Sequence, residues 1–322
     1  MNVLLVGPGG MGTVHYENYA HLPNVQVTAL VGTSPADEQK AAQWKLPLFA
    51  SVTQACQAMP IDLVDICVPT FLHKTLALES IAQGKHTLVE KPIALCAQDA
   101  REMYAAAEKQ GVQLYVAYVL QFTPEVETLR QVVQDERYGK PCDASFERLS
   151  ACPSWSQGGW LMQKEKSGLI PYDLHIHDLD VIVSLFGKPQ AVRFTTCTGH
   201  GRKVPEQYRF SYEYPGLTVN AEAAWFHACI PFTAHWRVYF DHGMLICDHT
   251  GLNGYDENGL VTVFDVEEKF KIPTGINLPP TGMFLKELGH FVDRAREERP
   301  SELVPKERVL AVMEVLEQVK NS

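Results

Sequence analysis

The apolar run Val3-Leu4-Leu5-Val6 passes directly into Gly7-Pro8-Gly9-Gly10-Met11-Gly12. Four apolar residues ahead of a turn have the pattern of a strand buried on both faces. Met11 to Ala20 can then continue as a helix, so the glycines stand at a strand-to-helix junction. The same alternation repeats downstream. Val25–Val31, Leu63–Val68, His86–Val89 and Leu114–Tyr118 read as strands. Pro35–Trp44, His73–Gln83 and Ala97–Gln110 read as helices, the last two ending at Gly84 and Gly111, natural residues after a helix terminus. A βαβα order of this kind predicts a parallel sheet covered by helices, the α/β doubly wound architecture.

Beyond about residue 120 the pattern changes. Thr123–Asp135 reads as a helix, and strand-like segments then dominate from Asp143 to Val266, interrupted by a helix over Asp173–Phe186. Tyr208, Phe210, Tyr212 and Tyr214 alternate with polar residues, as do Trp236, Val238 and Phe240. Asp241-His242-Gly243 fits a tight turn between two strands. Two helices, Gly282–Glu298 and Lys306–Val319, end the chain, and Pro273–Gly282 reads as a surface connection. The expected organisation is a nucleotide-binding Rossmann domain over 1–120 and an α+β domain over 121–322 with a mostly antiparallel sheet. Helices on one side of that sheet leave its other face open, with Tyr208, Tyr212, Trp225 and Trp236 as candidates to line it.

Composition narrows the function. The chain has 322 residues and a net charge of −10, which argues against binding nucleic acid or an acidic membrane surface. Its eight cysteines include no C-x-x-C pair, so a zinc or iron–sulfur centre is not expected. Scattered thiols in apolar runs fit a reducing, cytoplasmic compartment. No apolar stretch approaches membrane-spanning length.

Gly7, Gly9 and Gly12 satisfy G-x-G-x-x-G in its proper context. The first glycine permits the tight turn, the second lets backbone approach a pyrophosphate, and the third lets helix and strand pack closely. Free amides at the helix start then attract phosphate. The acid that commonly reads the ribose 2′-hydroxyl at the end of the second strand is missing from Val31-Gly32-Thr33-Ser34. Thr33 and Ser34 can bond a hydroxyl or a phosphate, or cap the next helix. No arginine stands beside them, so the residues leave NAD and NADP both open.

Two further clusters carry chemistry. Glu90-Lys91-Pro92 ends a predicted parallel strand, where ligands of open α/β sheets collect. Pro92 turns the chain sharply, and a cis Lys91-Pro92 bond is expected. In Asp173-Leu174-His175-Ile176-His177-Asp178, Asp173 and His177 share a helical face, a pairing suited to acid–base work. A surface Asp beside a surface His is the plain alternative. His175 and His177 point to nearly opposite sides of a helix, so a His-x-His metal site is not expected. Asp180 shares the cleft or anchors the helix.

Together these stretches resemble the Gfo/Idh/MocA oxidoreductases, the group of glucose–fructose oxidoreductase and inositol dehydrogenase. The similarity covers nearly the whole chain: Gly7–Gly12, Val68-Pro69-Thr70-Phe71-Leu72-His73, Gly84–Pro92, Gln121-Phe122-Thr123-Pro124 and Asp173–Asp178. The resemblance implies an NAD(P)-dependent dehydrogenase or reductase, with Lys91, Asp173 and His177 as catalytic residues. The expected cofactor contacts are Gly7, Gly9, Gly10, Met11, Gly12, Thr33, Ser34, Pro69, Thr70, His73, Glu90 and Lys91. Family substrates are often sugars or cyclitols. Gln121, Trp155 and Trp160 are candidate substrate contacts, the tryptophans as stacking surfaces or as core or interface aromatics. Gln121 stands where many members carry Arg, and Gly168-Leu169 where many carry Gly-Gly; the charge missing at Gln121 bears on its local contact network and not on the cofactor fold. The family implies a homodimer or homotetramer through the C-terminal sheet. Two other functions are weighed: a catalytically silent ligand-sensing regulator, and a reductase of a non-sugar carbonyl or imine.

Overall fold

The computed structural model describes residues 1–276 and 278–320. In chain order the first elements are β1 (Asn2–Val6), α1 (Gly10–Tyr19), β2 (Gln26–Val31), α2 (Pro35–Trp44), β3 (Leu48–Phe49), α3 (Val52–Ala58), β4 (Leu63–Ile66), α4 (His73–Ala82), β5 (His86–Glu90), α5 (Ala97–Gln110) and β6 (Leu114–Ala117). There follow α6 (Pro124–Gln134), β7 (Pro141–Ala151), α7 (Lys164–Ser167), a π-helical turn (Pro171–His175) and α8 (Ile176–Phe186). Seven strands come next: β8 (Ala191–Cys197), β9 (Gln207–Tyr214), β10 (Leu217–Phe226), β11 (Thr233–Phe240), β12 (Gly243–Asp248), β13 (Gly251–Asp256) and β14 (Val261–Phe264). Helices α9 (Met283–Arg296) and α10 (Lys306–Lys320) end the described chain.

Two compact units result. One holds Met1–Phe122 and Lys269–Leu310, the other Thr123–Glu268 and the chain from Ala311 on. The expected C-terminal domain, 121–322, is therefore interrupted by a segment that returns to the first unit. The cause is the apolar face of α9. Phe284, Leu288, Phe291 and Val292 are buried, and Met283 and Phe284 join Val14 of α1 and Val119 in one cluster. Part of the expected surface connection, Ile276 and Leu278, packs against that same cluster.

In the first unit all six strands are parallel, in the order β3-β2-β1-β4-β5-β6. The order reverses between β1 and β4, the switch point where ligands of such sheets bind. The apolar runs read as strands are its core, with Val3, Leu4, Leu5, Leu63, Val64, Ile66, Leu88 and Val89 buried. The short β3 and α3 were not evident in the sequence. Two strand residues and a seven-residue helix are too brief for a periodic signal.

The second unit carries an eight-stranded sheet, β14-β13-β12-β11-β7-β10-β9-β8. All its pairings are antiparallel except β7 with β10. The Asp241-His242 turn joins β11 to β12 as expected. The open-face expectation requires correction. Tyr208, Tyr212 and Trp225 are buried, and Trp236 pairs with the buried Phe146. A period of two groups residues on a face but does not say which face is covered; here the aromatic row turns inward and Arg209 and Glu213 turn out. The outward face instead carries Tyr239, Tyr255, Val261 and Val263. Among the described residues no helix is long and apolar enough to cross a membrane.

Candidate active site

At the switch point the glycine loop is set by contact. Gly7 has φ +86°, and a β-carbon there would meet Val68 Cγ1 at 2.7 Å and the Cys67 carbonyl at 3.2 Å. A β-carbon on Gly12 would stand 2.2 Å from the Gly7 carbonyl oxygen. The loops after β1 and β4 are thus pressed together, and α1 starts hard against the turn. Gly9 differs: a β-carbon there would meet nothing within 4 Å. Gly9 precedes α1 with no side-chain cap, and the first turn of α1 holds no acidic residue. Unclaimed amides at a helix start beside open space fit a pyrophosphate.

The end of β2 is arranged otherwise. Ser34 caps α2, its Oγ accepting the Asp37 amide at 3.2 Å. Asp37 Oδ2 accepts the amides of Thr33 at 3.0 Å and Ser34 at 2.9 Å. Ser34 is therefore the helix cap, and the acid missing from the strand end arrives from the first turn of the following helix.

Glu90, Lys91 and Pro92 follow β5, and the Lys91-Pro92 bond is cis. Lys91 is half-buried. Glu90 turns inward: its Oε1 lies 3.1 Å from Nε2 of His15, while its Oε2 accepts the Lys91 amide at 3.1 Å. His15, fully buried in α1, has Nδ1 2.8 Å from Asp65 Oδ2 and 3.3 Å from Cys67 Sγ. Burial alone would strip the His15 proton, but the Asp65 carboxylate and Cys67 outweigh it and hold the pKa well above the ordinary histidine value. Burial likewise pushes Glu90 up, yet the adjacent His15, with help from Lys91, leaves it lowered. An imidazolium clamped between two carboxylates thus backs the strand end that carries Lys91.

His15, Asp65 and Cys67 bring three metal-capable atoms within 4.8 Å of one another. Burial, the largest effect, raises the Cys67 thiol, and the Asp65 carboxylate raises it further. The His15–Asp65 contact at 2.8 Å is hydrogen-bonded and Cys67 Sγ lies 3.3 Å from the same ring nitrogen, so the three side chains form a polar network. One signal for it stood in the sequence: Asp65 interrupts an apolar strand, and a charge buried there needs a partner. His15 gave no such signal.

His73 is buried, with Nδ1 2.8 Å from the Pro92 carbonyl and Nε2 2.8 Å from that of Val68. Its ring ties the segment after β4 to the segment after β5. Only the charged ring can donate to both carbonyls, while burial, the largest effect, lowers its pKa. Thr70 is also buried and Pro69 half-buried. The expected cofactor residues thus divide. Gly9 borders open space, whereas Glu90, His73 and Thr70 are buried.

In the second unit, Asp173 lies in the π-helical turn and His177 in the first turn of α8. Across Pro171–Val183 every residue is buried except these two, each partly accessible. Their four-residue spacing gives a shared face. His175 faces the opposite way, stacked on Phe210 at 4.0 Å with Nε2 2.6 Å from the Tyr212 hydroxyl. Asp178 anchors α8 to β7 through a buried fork, Arg148 Nε to Oδ2 at 2.9 Å and Arg148 Nη2 to Oδ1 at 2.8 Å. Asp180 is buried.

Gln121 is fully buried. Trp155 is 67% exposed and so is no core residue, while Trp160 is half-buried. Leu169, at the position where the family carries a second glycine, has φ +61° and a buried side chain. A leucine holds the left-handed conformation that a glycine would take without strain.

Residues 1–118 match the model of the Gfo/Idh/MocA oxidoreductase family's NAD-binding Rossmann fold. Residues 126–246 match that of the Gfo/Idh/MocA C-terminal domain. A 1,5-anhydro-D-fructose reductase from Ensifer adhaerens is 30% identical over 145 residues, 44% of each chain. The chain spans about half the length of the curated relatives it matches. Among solved structures, levoglucosan dehydrogenase in complex with NADH and levoglucosan aligns with a TM-score of 0.84 at 18% identity, over 100% of this chain and 97% of that one. UDP-N-acetylglucosamine 3-dehydrogenase from Acidithiobacillus ferrooxidans aligns with a TM-score of 0.83 at 21% identity, over 100% and 97%. At those identities the two structures bear on the fold.

Proposed function

Because this chain belongs to the Gfo/Idh/MocA oxidoreductase family, we propose that it is an NAD(P)-dependent dehydrogenase or reductase of a sugar, cyclitol or related polyol. The observation that carries this reading is the pair of accessible side chains, Asp173 and His177, on one face of an otherwise buried helical run. A core helix with one Asp/His pair left reachable is built to present it. The uncapped start of α1 and the open space at Gly9 support cofactor binding by Gly9, Gly10, Met11 and Gly12. Held there, a nicotinamide cofactor would supply hydride transfer to or from the substrate carbon.

The chain's own groups manage the proton and the oxygen. In oxidation His177 takes the hydroxyl proton as the carbon loses hydride; in reduction it gives that proton back. Lys91 donates a hydrogen bond to the same oxygen and stabilises the negative charge that develops on it. Asp173 orients the His177 ring and supports its charged form. The His15–Glu90 contact fixes the strand end from which Lys91 projects. Trp155 offers an exposed indole to the face of a sugar ring.

His177→Ala is expected to lower kcat on the order of a hundredfold or more, with NADH binding retained. The test is turnover on a panel of polyols and aldoses beside a fluorescence titration with NADH and NADPH. Cofactor binding without turnover on any panel member favours the ligand-sensing regulator instead. The assembly we propose is a homodimer or homotetramer through the outward face of the eight-stranded sheet.

A further inference from the structure

The two helix starts that border the dinucleotide site differ in charge. Helix α1 offers uncapped amides and no acidic residue in its first turn. Helix α2 begins with Ser34 as cap and Asp37 and Glu38 in its first turn, and Asp37 Oδ2 already accepts two amides, those of Thr33 and Ser34. The first start is free for the phosphates common to both nicotinamide dinucleotides. The second is filled by the protein's own anion.

The position of that anion matters. The end of the second strand is where a doubly wound fold distinguishes a ribose 2′-hydroxyl from a 2′-phosphate. Strand β2 ends at Val31, and the Asp37 side chain lies directly over the turn that follows: a β-carbon on Gly32 would be 2.6 Å from Asp37 Cβ and 2.7 Å from Asp37 Oδ2. A larger residue at 32 would displace the carboxylate. The other oxygen, Asp37 Oδ1, has no hydrogen-bond partner among the described residues. One carboxylate oxygen is thus anchored and the other left to accept.

Among the described residues no cation is paired with it. The one basic residue of α2, Lys40, holds its ammonium over the Trp44 ring at 5.1 Å, and Trp44 stacks on Tyr16 at 3.9 Å. A 2′-phosphate would meet a carboxylate and find the Thr33 and Ser34 amides taken. A 2′-hydroxyl would find an acceptor.

We infer that Asp37 makes this chain select NAD(H) over NADP(H), supplying from the first turn of α2 the acid absent from the end of β2. The assignment rests on the cofactor reading alone and not on the substrate.

The test is a fluorescence titration of the full-length wild type and of Asp37→Asn with NADH and with NADPH, without substrate. Wild type is expected to bind NADH at least about tenfold more tightly than NADPH, the scale of one charge-assisted hydrogen bond gained or lost. Asp37→Asn keeps an acceptor for the two amides and removes the charge, and is expected to close most of that ratio. Equal wild-type affinities overturn the assignment without any variant being made. So does a ratio unchanged in Asp37→Asn while both cofactors still bind. Failure of wild type to bind either dinucleotide overturns the cofactor reading itself, and the assignment with it.

Discussion

His175 and His177 stand two residues apart and have opposite surroundings. His175 is buried between Phe210 and the Tyr212 hydroxyl, and its Nδ1 has no hydrogen-bond partner among the described residues. Burial lowers its pKa to about 4; Asp178 raises it and Arg148 lowers it, both to a lesser degree. In the unfolded chain the ring titrates near 6.5. Between these values the unfolded state binds more protons, so stability falls as pH drops through that window. Between pH 7 and pH 5 the loss from this one group is about 2 kcal/mol. His175→Phe is expected to remove that part of the pH dependence, read as the difference in urea-unfolding free energy between pH 7 and pH 5. An identical loss in wild type and variant would show that His175 is not the titrating group. The opposed orientations were legible in the sequence, because two residues along a helix face nearly opposite sides. The partners were not: Tyr212 is 37 residues from His175, and 50 residues separate Asp65 from His15. Pairings of that range follow from the fold and leave no local trace. The acid Asp37 was hidden differently, since it stands in a helix rather than at the strand end where a 2′-hydroxyl reader is sought.

At the scale of elements, α8 and β7 are joined by one buried fork between Arg148 and Asp178, their side chains 8% and 5% exposed. A lone buried charge is far costlier than a matched pair, and removing one partner typically costs about 3–5 kcal/mol. Arg148→Met should therefore be destabilised by that order, while Arg148→Met with Asp178→Leu should regain much of it. Asp178 neighbours His177, so the single variant should also lose activity through movement of the helix that presents the imidazole. Urea midpoints of the two singles and the double decide it; a double variant no more stable than Arg148→Met would show that the fork is not an isolated pair. The same elements show what local sequence resolves. Helix α2 was bounded correctly because Ser34, Pro35 and Asp37 mark its start, and α5 because Gly111 takes φ +73° at its end. Strand β3 and helix α3 lacked such marks. The return of α9 to the first unit was unmarked too, because an amphipathic helix shows that it has a face to bury and not which surface will bury it.

For the molecule as a whole, charge and exposed apolar surface oppose each other. A net charge of −10 disfavours contact between copies. The outward face of the eight-stranded sheet is nonetheless nearly neutral. Its Arg209, Arg237 and Arg193 pair with Glu222, Asp143 and Glu213 on neighbouring strands, at 3.2, 3.0 and 2.9 Å. Beside them Tyr239, Met244, Tyr255 and Val261 stand in register across four strands, and Val263 next to Val261 is 76% exposed. A locally neutral face with an apolar row can associate where the rest of the surface repels, and screening by salt should strengthen that association by weakening the long-range repulsion. Light scattering at micromolar concentration should therefore give a mass above that of one chain, rising or holding as salt is increased. Tyr255→Asp places a charge in the middle of the row and should shift the protein to monomer while leaving the thermal transition of each chain near wild type at high dilution. A wild type that is monomeric at every salt concentration would mean that this face does not join copies of the chain.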